Sequence, residues 1–521
     1  MFKGHPKGLV PAALANMGER FGFYTMMAIL VLFLQAKFDL TGTNAGIIYS
    51  TFYFSIYILA LLGGIIADKI GNFKKTILVG ILLMAFGYLI LAIPNPTPVA
   101  NVPLYLGITI VGLFVIAFGN GLFKGNLQAL VGQMYDNKEF EDKRDSGFSI
   151  FYAFINIGAI FAPIAAIFMR NWWLGKNNLE YNATLPEYCH SFINGDISET
   201  STVAFQQLAN KVSGNEVADL LEFSNRYLDV FNTGFHYAFG TAIIAMGISL
   251  AIYLFNYKVY PNPKGSELED EEGSKTELTK DEVKMGIAEV KQRMYALFAV
   301  FGVVIFFWFS FHQNGLTLTM FAKDYTDLSV FKFELFGILF EGAELFQSMN
   351  PFFVVFLTPI LVGVFGWLRV RNMEPSTPKK IAIGMGIAAL AFVVMAVGSY
   401  GLPLFNEISP KAGGTPLPWD NIPRVTPYLL LLTYFILTVA ELFISPMGIS
   451  FVSKVAPPQY QGMMQGGWLG ATALGNQLLL FGAIMYESIP IWLTWTAFIV
   501  ATSISMFTIM FMVKWLERVS K

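Results

Sequence analysis

Charged residues are scarce in this chain, and their scarcity indicates its class. Of the 521 residues only 13% are charged, whereas 55% are hydrophobic and the mean hydropathy is +0.55. Soluble globular proteins carry about 25% charged residues. The composition therefore predicts an integral membrane protein.

Cysteine and histidine are also rare, which excludes several kinds of chemistry. The single cysteine, Cys189, cannot form a disulfide within the chain and excludes cysteine-based metal sites. The histidines show no metal-ligand spacing; they are His5, His190, His236 and His312. The formal net charge is only −2 and no basic tract occurs, so we expect neither a metal site nor nucleic-acid binding.

A nucleotide-binding motif is missing as well. No G-x-x-x-x-G-K-[ST] occurs, and the glycine-rich stretch GNGLFKGN (119–126) lies within an apolar run instead of between a strand and a soluble helix. ATP is therefore excluded as the energy source, which leaves an ion or proton gradient. We expect no enzyme activity and no cofactor, with the proton as the coupling ion.

Long apolar runs predict twelve transmembrane helices, because a helix needs about 20 apolar residues to cross a bilayer. The runs fall near residues 10–35, 46–66, 76–94, 103–133, 147–169, 234–257, 294–322, 346–368, 380–400, 425–452, 463–486 and 489–514. The connections 68–75, 137–144 and 369–380 and the tail 514–521 are rich in Lys and Arg and fall on one side. Both termini are therefore predicted to be cytoplasmic.

Two polar connections divide the chain into domains. We expect an N-terminal bundle of helices 1–5 in residues 1–169, with its sixth helix at 233–257, and a C-terminal bundle in 291–521. Residues 170–232 form an extracytoplasmic insertion, and residues 258–290 form a cytoplasmic linker. Two six-helix bundles around a central path are typical of a secondary transporter.

Both connections allow more than one interpretation. In the insertion, VAFQQLANKV (203–212) and VADLLEFSNRYLDVF (217–231) are each able to form a short amphipathic helix. The insertion is then either a small cap over the outer mouth or a passive loop. In the linker, Thr279 and Glu282 offer a capping box for a short helix, although a solvated linker is the simpler interpretation.

Charges occur where a membrane span should have none. The stretch NMGERFGFYTMM (16–27) places Glu19 and Arg20 in the first span, on one helix face with Asn16, Phe23 and Tyr24. Such a polar stripe faces the interior of the bundle. The Glu19–Arg20 pair either joins helices together or belongs to a functional site.

Further ionisable residues lie in three other spans. Lys124 lies in the fourth, His312 in the seventh and Glu441 in the tenth. Each ionisable side chain costs about 2.5–3.5 kcal/mol or more at membrane depth unless it is paired or hydrated. Their distribution over both bundles favours a shared central site.

Seven motifs carry a resemblance to a known family. In chain order they are ERFGFY (19–24), GGIIADKIGNFKK (63–75), FKGN (123–126), FYAFINIGAIFAP (151–163), QSMNPFF (347–353), ELFISPMGIS (441–450) and KVAPPQYQGMMQGGW (454–468). Together they make the chain similar to the proton-dependent oligopeptide transporters (POT/PTR2) of the major facilitator superfamily. The resemblance implies an all-α integral membrane fold of that superfamily, with twelve transmembrane helices in two six-helix bundles.

The resemblance also implies a function, the symport of di- and tripeptides with protons across a lipid bilayer. A short peptide is a zwitterion, so its site needs cations at one end and an anion at the other. By similarity, Arg20 and Lys124 hold the peptide carboxylate, and Glu441 holds the amino terminus. Asn156 and Asn350 match positions that contact the peptide backbone.

The full set of residues implied by the resemblance is larger. The substrate-binding residues are Arg20, Tyr24, Tyr57, Lys124, Asn156, Gln313, Asn350, Glu441, Ser445 and Trp468. The residues implied in proton coupling are Glu19, Arg20, His312 and Glu441. Asp68, in the loop motif shared by the superfamily, is expected to steady the gate instead of touching substrate.

The chain departs from the family pattern at several positions. Asn16 replaces the first carboxylate of the usual E-x-x-E-R, and Phe23 takes a common tyrosine position. Gly125 stands where proline is common, and His312 stands where an acidic residue usually precedes the glutamine. We expect His312 either to carry a proton or to be a neutral imidazole bonded to a neighbour such as Gln313.

Two other functions stay open from the sequence. The first is a transporter of another small anion or zwitterion on the same fold. The second is a peptide-sensing receptor without net transport, in which the insertion 170–232 or the linker 258–290 signals. The expected location is a bacterial cytoplasmic (inner) membrane.

Overall fold

A computed structural model shows a chain built almost entirely from helices. It describes residues 4–136, 139–261, 287–410, 422–457 and 460–520. Most of the predicted cytoplasmic linker, including Thr279 and Glu282, lies outside the described residues, and so does the short helix expected there.

Twelve segments of the described chain are long and apolar enough to cross a membrane, which confirms the predicted number of spans. The helices are α1 (Leu9–Phe38), α2 (Gly42–Ile70), α3 (Phe73–Ala92), α4 (Val102–Met134), α5 (Arg144–Lys176), α6 (Leu185–Asn194), α7 (Glu199–Ser213), α8 (Leu220–Phe255), α9 (Ile287–Phe311), α10 (Thr317–Tyr325), α11 (Met349–Val370), α12 (Thr377–Gly398), α13 (Phe405–Ile408), α14 (Tyr428–Val455), α15 (Gln461–Gln477), α16 (Leu479–Ser488) and α17 (Ile491–Val519). The side opposite the basic connections is called the outer side.

The N-terminal bundle consists of α1, α2, α3, α4, α5 and α8. In it, α1 packs against α5 and α8, while α4 packs against α2 and α3. Every residue from Met26 to Leu34 on α1 is buried. A helix that is buried on all sides needs no amphipathic stripe, since each face meets apolar neighbours.

The glycine-rich stretch at 119–126 lies inside α4, as its apolar context predicted. A side chain on Gly121 would collide with the backbone of α2, and one on Gly119 would collide with the backbone of α3. Small residues allow helix backbones to approach closely within a membrane. Gly119 and Gly121 therefore serve helix packing.

The C-terminal bundle contains α9 to α12 and α14 to α17, and its first span is interrupted. A 3₁₀ turn at His312–Gly315 separates α9 from α10, so the single span predicted at 294–322 is discontinuous. The Tyr434 hydroxyl donates a hydrogen bond to the Asn314 carbonyl at 2.7 Å, which satisfies one carbonyl freed by the turn. Such mid-helix 3₁₀ stretches often mark a hinge.

The helices on either side of the predicted outer insertion, 170–232, continue into it. Helix α5 runs to Lys176 and α8 begins at Leu220, so the segment between these two helices is 177–219. The stretch 203–212 is helical within α7, as expected, whereas 217–231 forms mostly the start of α8. Hydropathy marks where a helix leaves the lipid, and it does not mark where the helix ends.

The insertion contacts both bundles. On the N-terminal bundle, the His190 imidazole of α6 bonds the Ala36 carbonyl at 2.8 Å. On the C-terminal side, the Ser409 hydroxyl donates to the Glu187 carboxylate. Burial is the main cause that raises the pKa of Glu187, because it disfavours the charged carboxylate. These contacts favour the cap over the passive loop.

A two-stranded hairpin lies between α10 and α11 and was not anticipated from the sequence. Strands β1 (Phe333–Leu335) and β2 (Ile338–Phe340) pair antiparallel through a turn at Phe336 and Gly337, both with positive φ. The Asn171 amide of α5 donates to the Leu339 carbonyl at 2.8 Å. The hairpin is therefore fixed to the N-terminal bundle.

A buried ion pair joins the bundles beside the hairpin. The Arg170 guanidinium of α5 bonds the Glu344 carboxylate, and neither side chain has any exposed surface. The guanidinium carbon lies 3.8 Å from the centre of the Tyr181 ring. Because both charges are desolvated, each depends on the other for stabilisation.

We predict that Arg170→Met destabilises the protein by about 3–5 kcal/mol, because it leaves the Glu344 carboxylate buried and unpaired. The double variant Arg170→Met/Glu344→Leu should recover most of the loss. Thermal unfolding in detergent measures both effects. Lys332→Met is the control, since its exposed pair with Glu180 contributes about 0–1 kcal/mol. Equal destabilisation by Lys332→Met and Arg170→Met would contradict the prediction.

Candidate functional site

A cavity of about 150 Å³ lies between the two bundles at the level of the α9–α10 break. Helices α1 and α2 form one wall, and α9, α11 and α14 contribute to the other. Its polar lining residues are His312, Asn314, Gln347, Asn350 and Glu441. The cavity is therefore bounded by both bundles, as a shared central site requires.

The Glu19–Arg20 pair lies in the N-terminal bundle beside the cavity. Arg20 donates through Nε and Nη2 to the two carboxylate oxygens of Glu19, each at 2.5 Å. The Asn120 amide of α4 donates to the same carboxylate at 2.6 Å. Both side chains of the pair are therefore hydrogen-bonded, and the Asn120 contact links α1 to α4.

Lys124 provides the second cation of the N-terminal bundle. Its ammonium lies 4.8 Å from the centre of the Tyr57 ring, and the residue is half-buried. It interacts electrostatically with Arg20 and Glu19 but makes no ion pair among the described residues. Lys124 does not line the cavity itself, but it packs on Tyr57, which does, and it has no carboxylate partner of its own among the described residues.

Glu441 provides the anion of the opposite bundle. Its carboxylate accepts a hydrogen bond from the Asn350 amide at 2.8 Å, and the same amide donates to Thr438 at 3.0 Å. Within the described part of the chain Glu441 makes no ion pair with Lys, Arg or His. The amide orients the carboxylate without neutralising it.

His312 lies on the cavity wall at the α9–α10 break. Its ring stacks on Trp308 with centroids 4.7 Å apart, and the Tyr53 ring lies 4.8 Å away. Its Nδ1 lies 2.5 Å from the Asn476 side-chain oxygen of α15. The partner suggested from sequence, Gln313, was therefore wrong. Asn476 was missed because it is distant in sequence and falls within an apolar run.

Half of the residues that line the cavity are Phe, Tyr or Trp, and the sequence identified only part of this set. The aromatic lining residues are Phe23, Tyr24, Tyr49, Tyr53, Tyr57, Trp308 and Phe311. Tyr49, Tyr53 and Tyr57 are spaced four residues apart on α2, which places them on one helix face. That spacing is the signal that would have identified the whole row.

Two predicted binding residues lie elsewhere in this state. Gln313 is fully buried and its amide packs against Gly482 of α16. Trp468 is buried against Gly448 between α15 and α14. Neither lines the central cavity, so their assignment to substrate binding stays a prediction.

The remaining predicted residues lie toward the inner side. The Asn156 amide donates to the Tyr152 carbonyl at 3.3 Å, and Ser445 lies one helical turn beyond Glu441. Asp68 is exposed near the inner end of α2 and makes no ion pair among the described residues. Asp68 does not line the central cavity, and its role at the gate stays a prediction.

Contacts between the bundles close the outer side. The Glu487 carboxylate of α16 accepts hydrogen bonds from the backbone amides of Gly42 at 2.5 Å and Thr43 at 2.9 Å. The Gln347 amide donates to the Ala28 carbonyl at 3.3 Å. A second cavity, of about 230 Å³, lies outside these contacts and is partly lined by the cap.

Comparison with known sequences identifies close similarity over most of the chain. The sequence model of the POT family matches residues 74–271 and 268–492. The peptide transporter YePEPT of Yersinia enterocolitica is 27% identical over 501 residues, covering 91% of this chain and 87% of that protein. The dipeptide and tripeptide permease A of Chromobacterium violaceum is 27% identical over 458 residues, covering 88% and 81%.

Comparison with solved structures confirms the fold. A crystal structure of the peptide transporter POT in complex with sulfate aligns with a TM-score of 0.70 at 22% identity, covering 100% of this chain and 96% of that one. A POT family transporter in complex with 5-aminolevulinic acid aligns with a TM-score of 0.71 at 20% identity, covering 100% and 98%. The major facilitator architecture predicted from the motifs is therefore confirmed.

Proposed function

Since this chain belongs to the POT family, we propose that it is a proton-coupled symporter that imports di- and tripeptides by alternating access. The observation that carries the proposal is the placement of Lys124 and Glu441 on opposite bundles, each without an ion-pair partner in the described chain. The names of the two relatives, a peptide transporter and a dipeptide and tripeptide permease, support the same substrate class.

A short peptide supplies an ion-pair partner for Lys124 and for Glu441 at once. Its carboxylate binds Lys124, and Arg20 becomes a second ligand when Glu19 releases it. Its ammonium binds Glu441, which the Asn350 amide already orients. Asn350, and Asn156 in another state of the cycle, bond the peptide backbone. Because the termini and backbone are recognised, the aromatic wall accepts many side chains.

Binding of a zwitterion across the cavity favours closure of the bundles around it. The two charges belong to different bundles, so both contacts are made only when the bundles approach each other. A ligand shifts a conformational equilibrium by its differential affinity for the two states. The peptide therefore stabilises an occluded state, and the bundles rock about the fixed site.

Proton coupling uses Glu19 and His312 in this proposal. Protonation of Glu19 weakens its bidentate contact with Arg20 and frees the guanidinium for the peptide carboxylate. His312 carries a proton on the cavity wall, where the family pattern has an acidic residue. The transporter operates in a bacterial cytoplasmic membrane, where an inward proton gradient drives accumulation.

The direct test is uptake of labelled dialanine into proteoliposomes, with and without an inward-directed proton gradient. Gradient-dependent accumulation supports the symporter. Failure of dipeptides to be taken up or to compete would favour another anion or zwitterion as the substrate. Binding of dialanine without net uptake would favour a peptide sensor.

Glu441→Gln tests the contact with the peptide ammonium. Removing one partner of a buried charge pair costs about 3–5 kcal/mol, so dialanine binding and uptake should collapse. N-acetyl-dialanine has no ammonium; it should bind the parent protein poorly and lose little more in the variant. Competition assays measure both ligands, with Glu289→Gln, an exposed carboxylate on α9, as the control. An equal loss for both ligands would make Glu441 structural.

Glu19→Gln tests the release of Arg20. Glutamine carries no proton between states, so proton-driven accumulation should be lost. Glu19→Asp is the matched control, because it keeps a titratable carboxylate and should retain part of the coupling. Uptake driven by a pH difference in proteoliposomes measures the effect. Full accumulation by Glu19→Gln would contradict this role.

His312→Gln tests the proton-carrying role on the cavity wall. We predict that proton-driven accumulation is abolished while peptide counterflow continues, because counterflow needs no net proton movement. His190→Gln is the control, since that histidine lies in the cap and bonds a backbone carbonyl. Accumulation with an unchanged rate and pH profile in His312→Gln would assign coupling to Glu19 or Glu441.

A further inference from the structure

The side chain of Asn476 makes the direct polar contact to His312. Its Oδ1 lies 2.5 Å from Nδ1 of the imidazole. Asn476 is fully buried at the end of α15, and its Nδ2 has no hydrogen-bond partner among the described residues. A buried donor without a partner costs about 1–3 kcal/mol. Packing alone therefore does not explain an asparagine at this position. The contact of its side-chain oxygen with His312 does.

The contact decides which ring nitrogen carries the proton. A neutral imidazole has one N–H donor and one acceptor nitrogen. An amide oxygen only accepts, so the proton of neutral His312 lies on Nδ1. Nε2 makes no hydrogen bond within the described chain, and the residue lines the central cavity. The free lone pair of Nε2 is then the one that receives a proton.

The ring is also held against rotation. Trp308 stacks on the imidazole with an interplanar angle of 21°, and the Tyr53 ring packs against it with centroids 4.8 Å apart and planes tilted by 43°. His312 itself is only 6% exposed. An exchange of Nδ1 and Nε2 by a ring flip would have to displace one of these aromatic neighbours, so the orientation set by Asn476 persists.

From this geometry we propose that Asn476 is a positioning residue for proton transfer. Its oxygen holds His312 in the Nδ1–H tautomer and stabilises the imidazolium that forms when Nε2 takes a proton. The proposal rests on the proposed role of His312 in coupling, and it adds a residue that the motifs of the family resemblance do not include. In functional histidines, the hydrogen bond made by one ring nitrogen commonly fixes the tautomer.

Other titratable groups surround His312 without a hydrogen bond to it. They line the cavity or act on the imidazole electrostatically, and they are Tyr24 on α1, Tyr49, Tyr53 and Tyr57 on α2, Lys124 on α4 and Glu441 on α14. Helix α15, which carries Asn476, has no charged residue. None of these groups makes a hydrogen bond to His312 in the described chain. Asn476 is therefore the hydrogen-bonding partner of the imidazole, while Lys124 acts on it at longer range.

The test compares two substitutions with opposite expected effects on the pH dependence of proton-driven dialanine uptake. Asn476→Asp places a carboxylate at the Nδ1–H and stabilises the imidazolium, so the midpoint of the profile should rise by about 1–3 pH units. Asn476→Leu removes the acceptor, so the midpoint should fall. A general folding defect lowers the rate in both variants and does not move the midpoint in opposite directions.

The same substitutions in a His312→Gln background separate this contact from other effects. The pH profile of dialanine counterflow is measured for Asn476→Asp and Asn476→Leu both with and without His312, because accumulation is expected to be lost in His312→Gln. The shifts caused by Asn476→Asp and Asn476→Leu should disappear without the imidazole. Shifts of equal size with and without His312, or an unchanged profile in both single variants, would overturn the proposal.

Nitrogen NMR of ¹⁵N-histidine-labelled protein in lipid tests the tautomer independently of transport. The His312 signals are assigned by difference from His312→Gln. The parent should show protonated Nδ1 and bare Nε2, and Asn476→Leu should show a mixture of tautomers. A parent with the proton on Nε2 would mean that the Asn476 amide faces His312 through its nitrogen, and the proposal would fail. If dialanine is not transported at all, the proposed function fails while this measurement still decides the tautomer.

Discussion

A charge buried in the hydrocarbon layer needs a partner, and this constraint organises the structure. Arg170 and Glu344 satisfy it by pairing with each other in a buried contact between the bundles. Glu19 and Arg20 satisfy it within one helix, with Asn120 as a further donor. Lys124 and Glu441 have no ion-pair partner in the described chain, so a zwitterionic ligand could supply the missing partner for each.

Polar contacts between the bundles also determine on which side of the membrane the protein is closed. Hydrogen bonds to the Glu487 carboxylate and from the Gln347 amide join the bundles on the outer side, and the hairpin and cap extend the same contact surface. An outward-open state must break these bonds and hydrate the groups that they satisfy. Opening the outer side therefore costs energy mainly at these polar contacts. Apolar helix faces move against lipid at little cost.

The sequence was sufficient for the architecture because hydropathy reports directly on burial in lipid. Twelve apolar runs predicted twelve spans, and the described chain has twelve. The orientation that the basic connections indicate stays a prediction. Helix ends beyond the lipid were not predictable in this way, which is why α5 and α8 extend into the supposed insertion. The motifs located Lys124, Asn350 and Glu441. They did not locate Asn476, because an amide in an apolar run carries no pattern until its distant partner His312 is placed beside it.

Replacement of an acidic residue by His312 changes how proton and peptide depend on each other. An acidic group becomes neutral on taking a proton, whereas an imidazole becomes a cation, and His312 lies within electrostatic range of Lys124. In the proposed mechanism, a protonated His312 and the Lys124 ammonium repel each other in the empty site. A peptide carboxylate bound beside Lys124 would reduce that repulsion, so peptide binding would favour protonation. By thermodynamic reciprocity, protonation would then favour peptide binding to the same degree. With a histidine at this position, the proposed mechanism still lets both ligands load together, and it does so through attraction to the substrate.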